Sequence, residues 1–186
     1  IDLLSPRSHE RHPAAGHDGT IEPTPDGGVI RFERHLPYAV RDVWDAITSP
    51  ERLAEWWLPF DAEISVDLRE GGEMVMAARG EDPMTITCTI VRVEPPMLLE
   101  HTHLDPGSLV RWELEPVDAG CVLRLSHFVV DTAAAIDGCY VVGLDTSLAR
   151  LEPCLAGRPV AWDWDAFAEA QANYATLGFA PPVAAS

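Results

Sequence analysis

The chain has 186 residues, 47% of them hydrophobic, and sets 13 basic against 30 acidic side chains for a formal charge of -17. This length suits one domain with a full core, and the negative balance repels phosphate backbones and anionic headgroups, which removes nucleic acid from the expected partners. All 13 basic residues are arginine, so Schiff-base lysine chemistry is excluded, and the scattered Cys88, Cys121, Cys139 and Cys154 lack the close pairing of zinc or redox motifs.

Taken in chain order, residues 1 to about 27 carry Pro6, Pro13, Pro23, Pro25 and irregularly spaced His9, His12 and His17 without apolar periodicity. A flexible arm is expected there. No basic segment leads into an apolar run, and no apolar stretch approaches a membrane span, so a cytoplasmic protein without integral membrane association is expected. From residue 28 to 179 the pattern reads as one domain, with 180–186 as a tail. Val29 to Leu36 alternates as a strand. Val40, Val43, Trp44 and Ile47 then fall at i, i+3, i+4 and i+7, one apolar stripe of a helix. Ser49 suits an N-cap and Pro50 a first helical position, so Pro50 to Trp56 reads as a second short helix.

Phe60 to Leu68 alternates apolar and polar residues, and Gly71-Gly72 makes a turn. Glu73 to Arg79, Met84 to Glu94, Met97 to Leu104, Leu109 to Pro116 and Cys121 to Val130 follow, with connections short enough for antiparallel hairpins. The expected fold is therefore α+β: a curved antiparallel sheet of six or seven strands, its concave face covered by the one long helix, Ala133 to Leu155. A terminal helix, Trp162 to Leu177, carries a stripe of Phe167, Ala170, Tyr174 and Leu177 with Gly178 as its stop. It is expected on the outside or against a second subunit.

The ordered combination Arg34, Pro37, Val43-Trp44, Thr48-x-Pro50-Glu51 and Trp56-Trp57-x-Pro59 resembles the helix-grip (SRPBCC, START-like and Bet v 1-like) superfamily, and within it the branch similar to the activator of the Hsp90 ATPase (AHSA1-like). The resemblance covers about residues 28 to 179. Gly138-Cys139 departs from the Gly-Trp that usually starts the long helix in that family. The resemblance implies the helix-grip arrangement and leaves ligand binding, cyclase or hydrolase chemistry and a chaperone-associated role all open, because fold alone does not decide among them.

A sheet gripping a helix leaves space between them, and strand parity nominates its lining. Cys121, Leu123, Leu125, His127 and Val129 share the inward face of the last strand, and Trp112 points inward between Val110 and Leu114. Leu99, His101 and His103 form the inward set of another strand. If Arg92 and Glu94 point outward, Thr85, Thr87 and Thr89 turn inward, and one bulge reverses this. The predicted ligand-binding set is His127, Trp112, His101, His103 and Leu125, completed by Trp56, Met74, Met76, Tyr140 and Leu144.

His101 and His103 have the spacing of a zinc pair, but the sequence nominates no third ligand, so neither metal nor cofactor is expected. Ser126 and His127 face opposite ways along a strand and form no Ser-His dyad. Gly71-Gly72 lacks the following helix of a phosphate site. The expectation is non-catalytic binding of a hydrophobic or amphipathic small molecule. An enzyme using a cavity histidine as acid or base, and an Hsp90-activator-like interaction module, are the alternatives. A homodimer through an outward strip at Cys88 and Ile90 is a further expectation.

Overall fold

The computed structural model describes residues 18–80 and 84–183. Its sheet has eight antiparallel strands rather than six or seven, in the spatial order β1-β2-β8-β7-β6-β5-β4-β3. These are β1 Thr20–Thr24, β2 Gly27–Leu36, β3 Ala62–Val66, β4 Glu73–Ala78, β5 Thr85–Glu94, β6 Leu98–Thr102, β7 Leu109–Val117 and β8 Gly120–Val129. Strand β1 corrects the expectation of an unstructured arm over its last residues: Thr20 to Thr24 pair with Arg31 to Gly27 across a tight turn. The prolines at 23 and 25 hid it, since proline is tolerated on an edge strand. The rest of the expected arm, through residue 17, lies outside the described residues.

Between β2 and β3 run α1 Val40–Thr48 and α2 Pro50–Trp56, with the boundaries that the stripe and Ser49-Pro50 predict. Ser49 holds the N-cap position of α2, but its hydroxyl donates to Glu51 Oε2 at 3.0 Å instead of accepting a backbone N–H. After β8 the chain forms α3 Thr132–Asp137, α4 Tyr140–Leu155 and α5 Trp164–Thr176. The single helix expected over Ala133–Leu155 is thus broken. Cys139 adopts the left-handed conformation with φ of 56°, and Gly138 and Cys139 turn the chain between α3 and α4. Apolar periodicity runs through this point, so it hid the break, although Asp137-Gly138 is a turn signal in the sequence.

Helix α4 is buried nearly all round, including Val141, Val142, Leu144, Leu148, Leu151 and Cys154. It lies against the sheet on one side, and α1, α2 and α5 pack on its others. Helix α5 buries Ala170 and Tyr174 against α4, while Leu177, expected in the stripe, is exposed beyond the helix end. The Tyr174 hydroxyl accepts from Gly19 N–H at 2.9 Å and hydrogen-bonds Asp145. Asp145, fully buried, also receives Arg34 Nη2 at 2.9 Å. The arginine of the Arg34 motif thus ties β2 to α4.

The outer sheet face carries ion pairs: Arg124 meets Glu33 at 2.9 Å and Glu115 at 2.7 Å, and Arg111 meets Glu100 at 2.5 Å. Cys88 and Ile90, expected as an outward apolar strip, are instead fully buried. Ile90 pairs with His101 and Arg92 with Glu100, so Val91 is an extra residue that bulges the strand. Before the bulge the even positions point inward, and Thr85, Thr87 and Thr89 are the exposed ones. The bulge also removes the proposed dimer strip. Among the described residues, no helix is long and apolar enough to cross a membrane.

Candidate functional site

The inward face of the sheet is ordered by register. Ile30 lies opposite His127, His127 opposite Val110, Val110 opposite His101 and His101 opposite Ile90. One row across four neighbouring strand pairs therefore holds two histidines among aliphatic side chains. His103 follows β6 directly, two residues on from His101 and on the same side. Leu104, at φ 45°, then turns the chain away, and the Ser108 hydroxyl donates to the His103 carbonyl to hold that turn.

Between this face and α4 is a cavity of about 280 Å³ that opens to solvent. Its wall includes Trp57, Ile86, His103, His127, Tyr140 and Leu144. Trp162, Trp164 and Phe167 also line it, and their rings meet edge-on or tilted at 5.5–6.0 Å. Helix α4 contributes the small Gly143 and Ser147 as well as Tyr140 and Leu144. Gly143 faces the space, and a Cβ added to it would meet nothing within 4 Å.

Two contacts hold this frame. Arg150, 8% exposed, donates to the carbonyls of Glu55, Trp56 and Leu58 at 2.8–3.0 Å and to that of Val160 at 3.0 Å. It fixes the end of α2, with its cavity-wall Trp57, to the loop that carries Trp162. Burial lowers the Arg150 pKa, and the carbonyl dipoles at the α2 C-terminus compensate its charge. At the other end the Tyr140 hydroxyl donates to Asp105 Oδ2 at 2.5 Å, which clips the β6–β7 loop onto the start of α4. Burial first, and this hydrogen bond second, push the Tyr140 hydroxyl up to about 12.

Of the predicted ligand-binding residues, His127, His103, Tyr140 and Leu144 line the cavity. Trp56, Trp112, His101, Met74, Met76 and Leu125 are buried in the core behind it. Trp56 donates its indole N–H to the Ala46 carbonyl at 2.9 Å, a structural bond between α2 and α1. Trp112 stacks edge-on against Trp57 at 5.2 Å and donates to His101 Nε2 at 3.1 Å. His101 Nδ1–H in turn donates to the Thr102 carbonyl at 2.8 Å, which assigns its tautomer and leaves it satisfied. Sequence reasoning missed Trp57, Ser147, Trp162, Trp164 and Phe167.

His127 differs from the other two. It is 1% exposed, its ring stacks on Tyr140 with centroids 5.7 Å apart and planes 2° from parallel, and neither ring nitrogen has a hydrogen-bond partner among the described residues. The indole N–H of Trp162, also in the cavity wall, is likewise buried without an acceptor. Burial lowers the His127 pKa to about 4 and that of His103 to about 3, with the neighbouring histidines adding to the shift. Both imidazoles are neutral near pH 7, and each then offers one donor and one acceptor.

A family model described as "Activator of Hsp90 ATPase homolog 1-like protein" matches residues 37–156. No curated protein sequence matches the chain. Among solved structures, CalU16 from Micromonospora echinospora is similar, with 26% identity over 86% of this chain and 96% of that one and a TM-score of 0.62. The AHSA1-like protein from Aeromonas hydrophila is 25% identical over 69% of this chain and 94% of its own, with a TM-score of 0.56. A conserved protein of unknown function from Enterococcus faecalis shares the fold at 15% identity, covering 87% of this chain and 91% of its own, with a TM-score of 0.66.

Proposed function

Because the chain belongs to the family of Activator of Hsp90 ATPase homolog 1-like proteins, whose members differ in what they do, its own cavity is the guide, and we propose that it binds a small amphipathic molecule between sheet and α4. The observation that carries this reading is His127: two ring nitrogens, unpartnered among the described residues, buried in a mostly apolar space. An unsatisfied buried polar group costs about 1–3 kcal/mol, a penalty that a bound polar group relieves.

The ligand's class follows from the walls. Aromatic and aliphatic side chains favour an apolar body, while a hydroxyl, carbonyl or carboxyl group meets His127 and an acceptor meets the Trp162 N–H. A volume of about 280 Å³ falls just below the roughly 300–1,000 Å³ of small-molecule sites, which supports a single ring system or short acyl chain. Neutral histidines suit a neutral or weakly acidic head better than a fixed cation.

Native mass spectrometry followed by a thermal-shift screen of phenols, aromatic acids and medium-chain fatty acids tests this. A compound that stabilises the wild type and not His127→Phe is the expected result. Compounds that stabilise both equally, or none that stabilise the wild type, refute it.

A further inference from the structure

At the cavity wall, His103 comes together with Cys88 and His101 from the core behind it, and one ligand atom of each lies within 4.8 Å of the other two. The register explains why: with Ile90 opposite His101, the next inward residue of β5, Cys88, falls opposite His103. The bulge at Val91 is what turns Cys88 inward. Cys88 is 0%, His101 1% and His103 9% exposed. We propose that these three side chains form a binding site for a thiophilic divalent cation of the zinc type.

A thiolate with two imidazoles is a donor set that zinc prefers. Tetrahedral zinc, with Zn–S of about 2.3 Å and Zn–N of about 2.0–2.1 Å, separates its donors by roughly 3.3–3.6 Å. Cys88 Sγ and His103 Nδ1 already stand 3.7 Å apart. His101 is oriented as metal-ligating histidines are, its Nδ1–H given to a backbone carbonyl and its Nε2 lone pair directed into the structure. That lone pair accepts the Trp112 indole N–H, so a metal–nitrogen bond would replace this hydrogen bond.

On binding, the Cys88 S–H bond breaks, the proton leaves to solvent, and a sulfur–metal bond forms. Three protein ligands leave a fourth position, for a water or for a group entering from the cavity that His103 borders. The site shares only His103 with the cavity wall; neither Cys88 nor His101 lines the cavity.

The test is a Co²⁺ titration of the full chain after chelator treatment, read by absorption. The expected result is one cobalt per chain, with a thiolate-to-cobalt charge-transfer band and the intense visible bands of a tetrahedral site. Cys88→Ser is expected to abolish the charge-transfer band, and His103→Gln to weaken binding by roughly tenfold or more. Cobalt held by His9, His12 or His17 gives no thiolate band. As a second measurement, Zn²⁺ raises the unfolding midpoint of the wild type and leaves that of Cys88→Ser and Cys88→Ala unchanged. A folded wild type without a thiolate band, a band that survives Cys88→Ser, or equal zinc stabilisation of all three proteins overturns the proposal.

Discussion

Replacing His127 by phenylalanine is expected to stabilise the ligand-free protein. The imidazole is desolvated to 1% exposure with both nitrogens unpartnered, a deficit of about 1–3 kcal/mol that an apolar ring does not incur. Phenylalanine preserves the parallel stack on Tyr140 at 5.7 Å, and its extra ring atom has the adjoining cavity of about 280 Å³ to enter, so overpacking is avoided. For a chain of this size each kcal/mol moves the midpoint by about 2–4 °C, so a rise of roughly 2–12 °C is expected. Calorimetry and urea unfolding of wild type and variant, each freed of small molecules by unfolding and refolding, measure it. A lower midpoint in His127→Phe refutes the reasoning: the ring would then have polar partners in the fold and would not be free to meet a ligand.

Acid sensitivity should follow from the same group. The folded pKa of His127, about 4, lies below its ordinary 6.5, so the unfolded chain takes up the proton first; stability is complete above pH 6.5 and declines as pH falls toward 4, by about 3 kcal/mol at 1.36 kcal/mol per unit. Urea unfolding between pH 7 and 4.5 should show a shallower decline for His127→Phe than for wild type, and equal slopes would remove His127 as the cause. Arg150→Met leaves four backbone carbonyls at the α2 end and Val160 without their donor and is expected to lower stability by more than about 3 kcal/mol; a loss under about 1 kcal/mol in urea unfolding would contradict the bracing role. Gly143→Ala places a methyl group in open space within a helix and should stabilise by up to about 1 kcal/mol, whereas Gly143→Leu should also abolish the thermal shift by any cavity ligand. Ligand binding that persists in Gly143→Leu would place the ligand elsewhere.

The fold was legible where periodicity is unambiguous. Val40, Val43, Trp44 and Ile47 with Ser49-Pro50 mark two helices with their observed bounds, because a 3.6-residue stripe and a proline at the first helical position have no strand equivalent. The alternating runs gave the strand succession from β2 to β8. Illegible were features that change direction without changing pattern. A left-handed Cys139 interrupts a stretch whose apolar spacing is continuous. Two prolines disguise an edge strand. Each is decided by tertiary contacts: α4 must turn to lie under the sheet, and β1 exists only because β2 offers its edge.

The site illustrates how much rests on one residue. Parity counted back from Arg92 and Glu94 assigns the threonines of β5 to the interior, and the extra Val91 exchanges them for Ile86, Cys88 and Ile90. An outward apolar strip thereby becomes part of the core, and a pair of histidines gains a cysteine at 3.7 Å. The inward placement of His127, by contrast, followed from β8 alone, since no bulge interrupts its pairing with β2 or β7. What parity could not separate is wall from core: His101 and His127 share one cross-sheet row, yet Trp112 and Thr102 satisfy the first while the second has ring contacts with Tyr140 and His103 and no hydrogen bond among the described residues. Whether a buried histidine is a structural member or a ligand's partner depends on what stands across from its nitrogens, and here α4 presents the small Gly143 and Ser147 to the cavity beside Tyr140 and Leu144. The space beside His127 is therefore written into the helix as much as into the sheet.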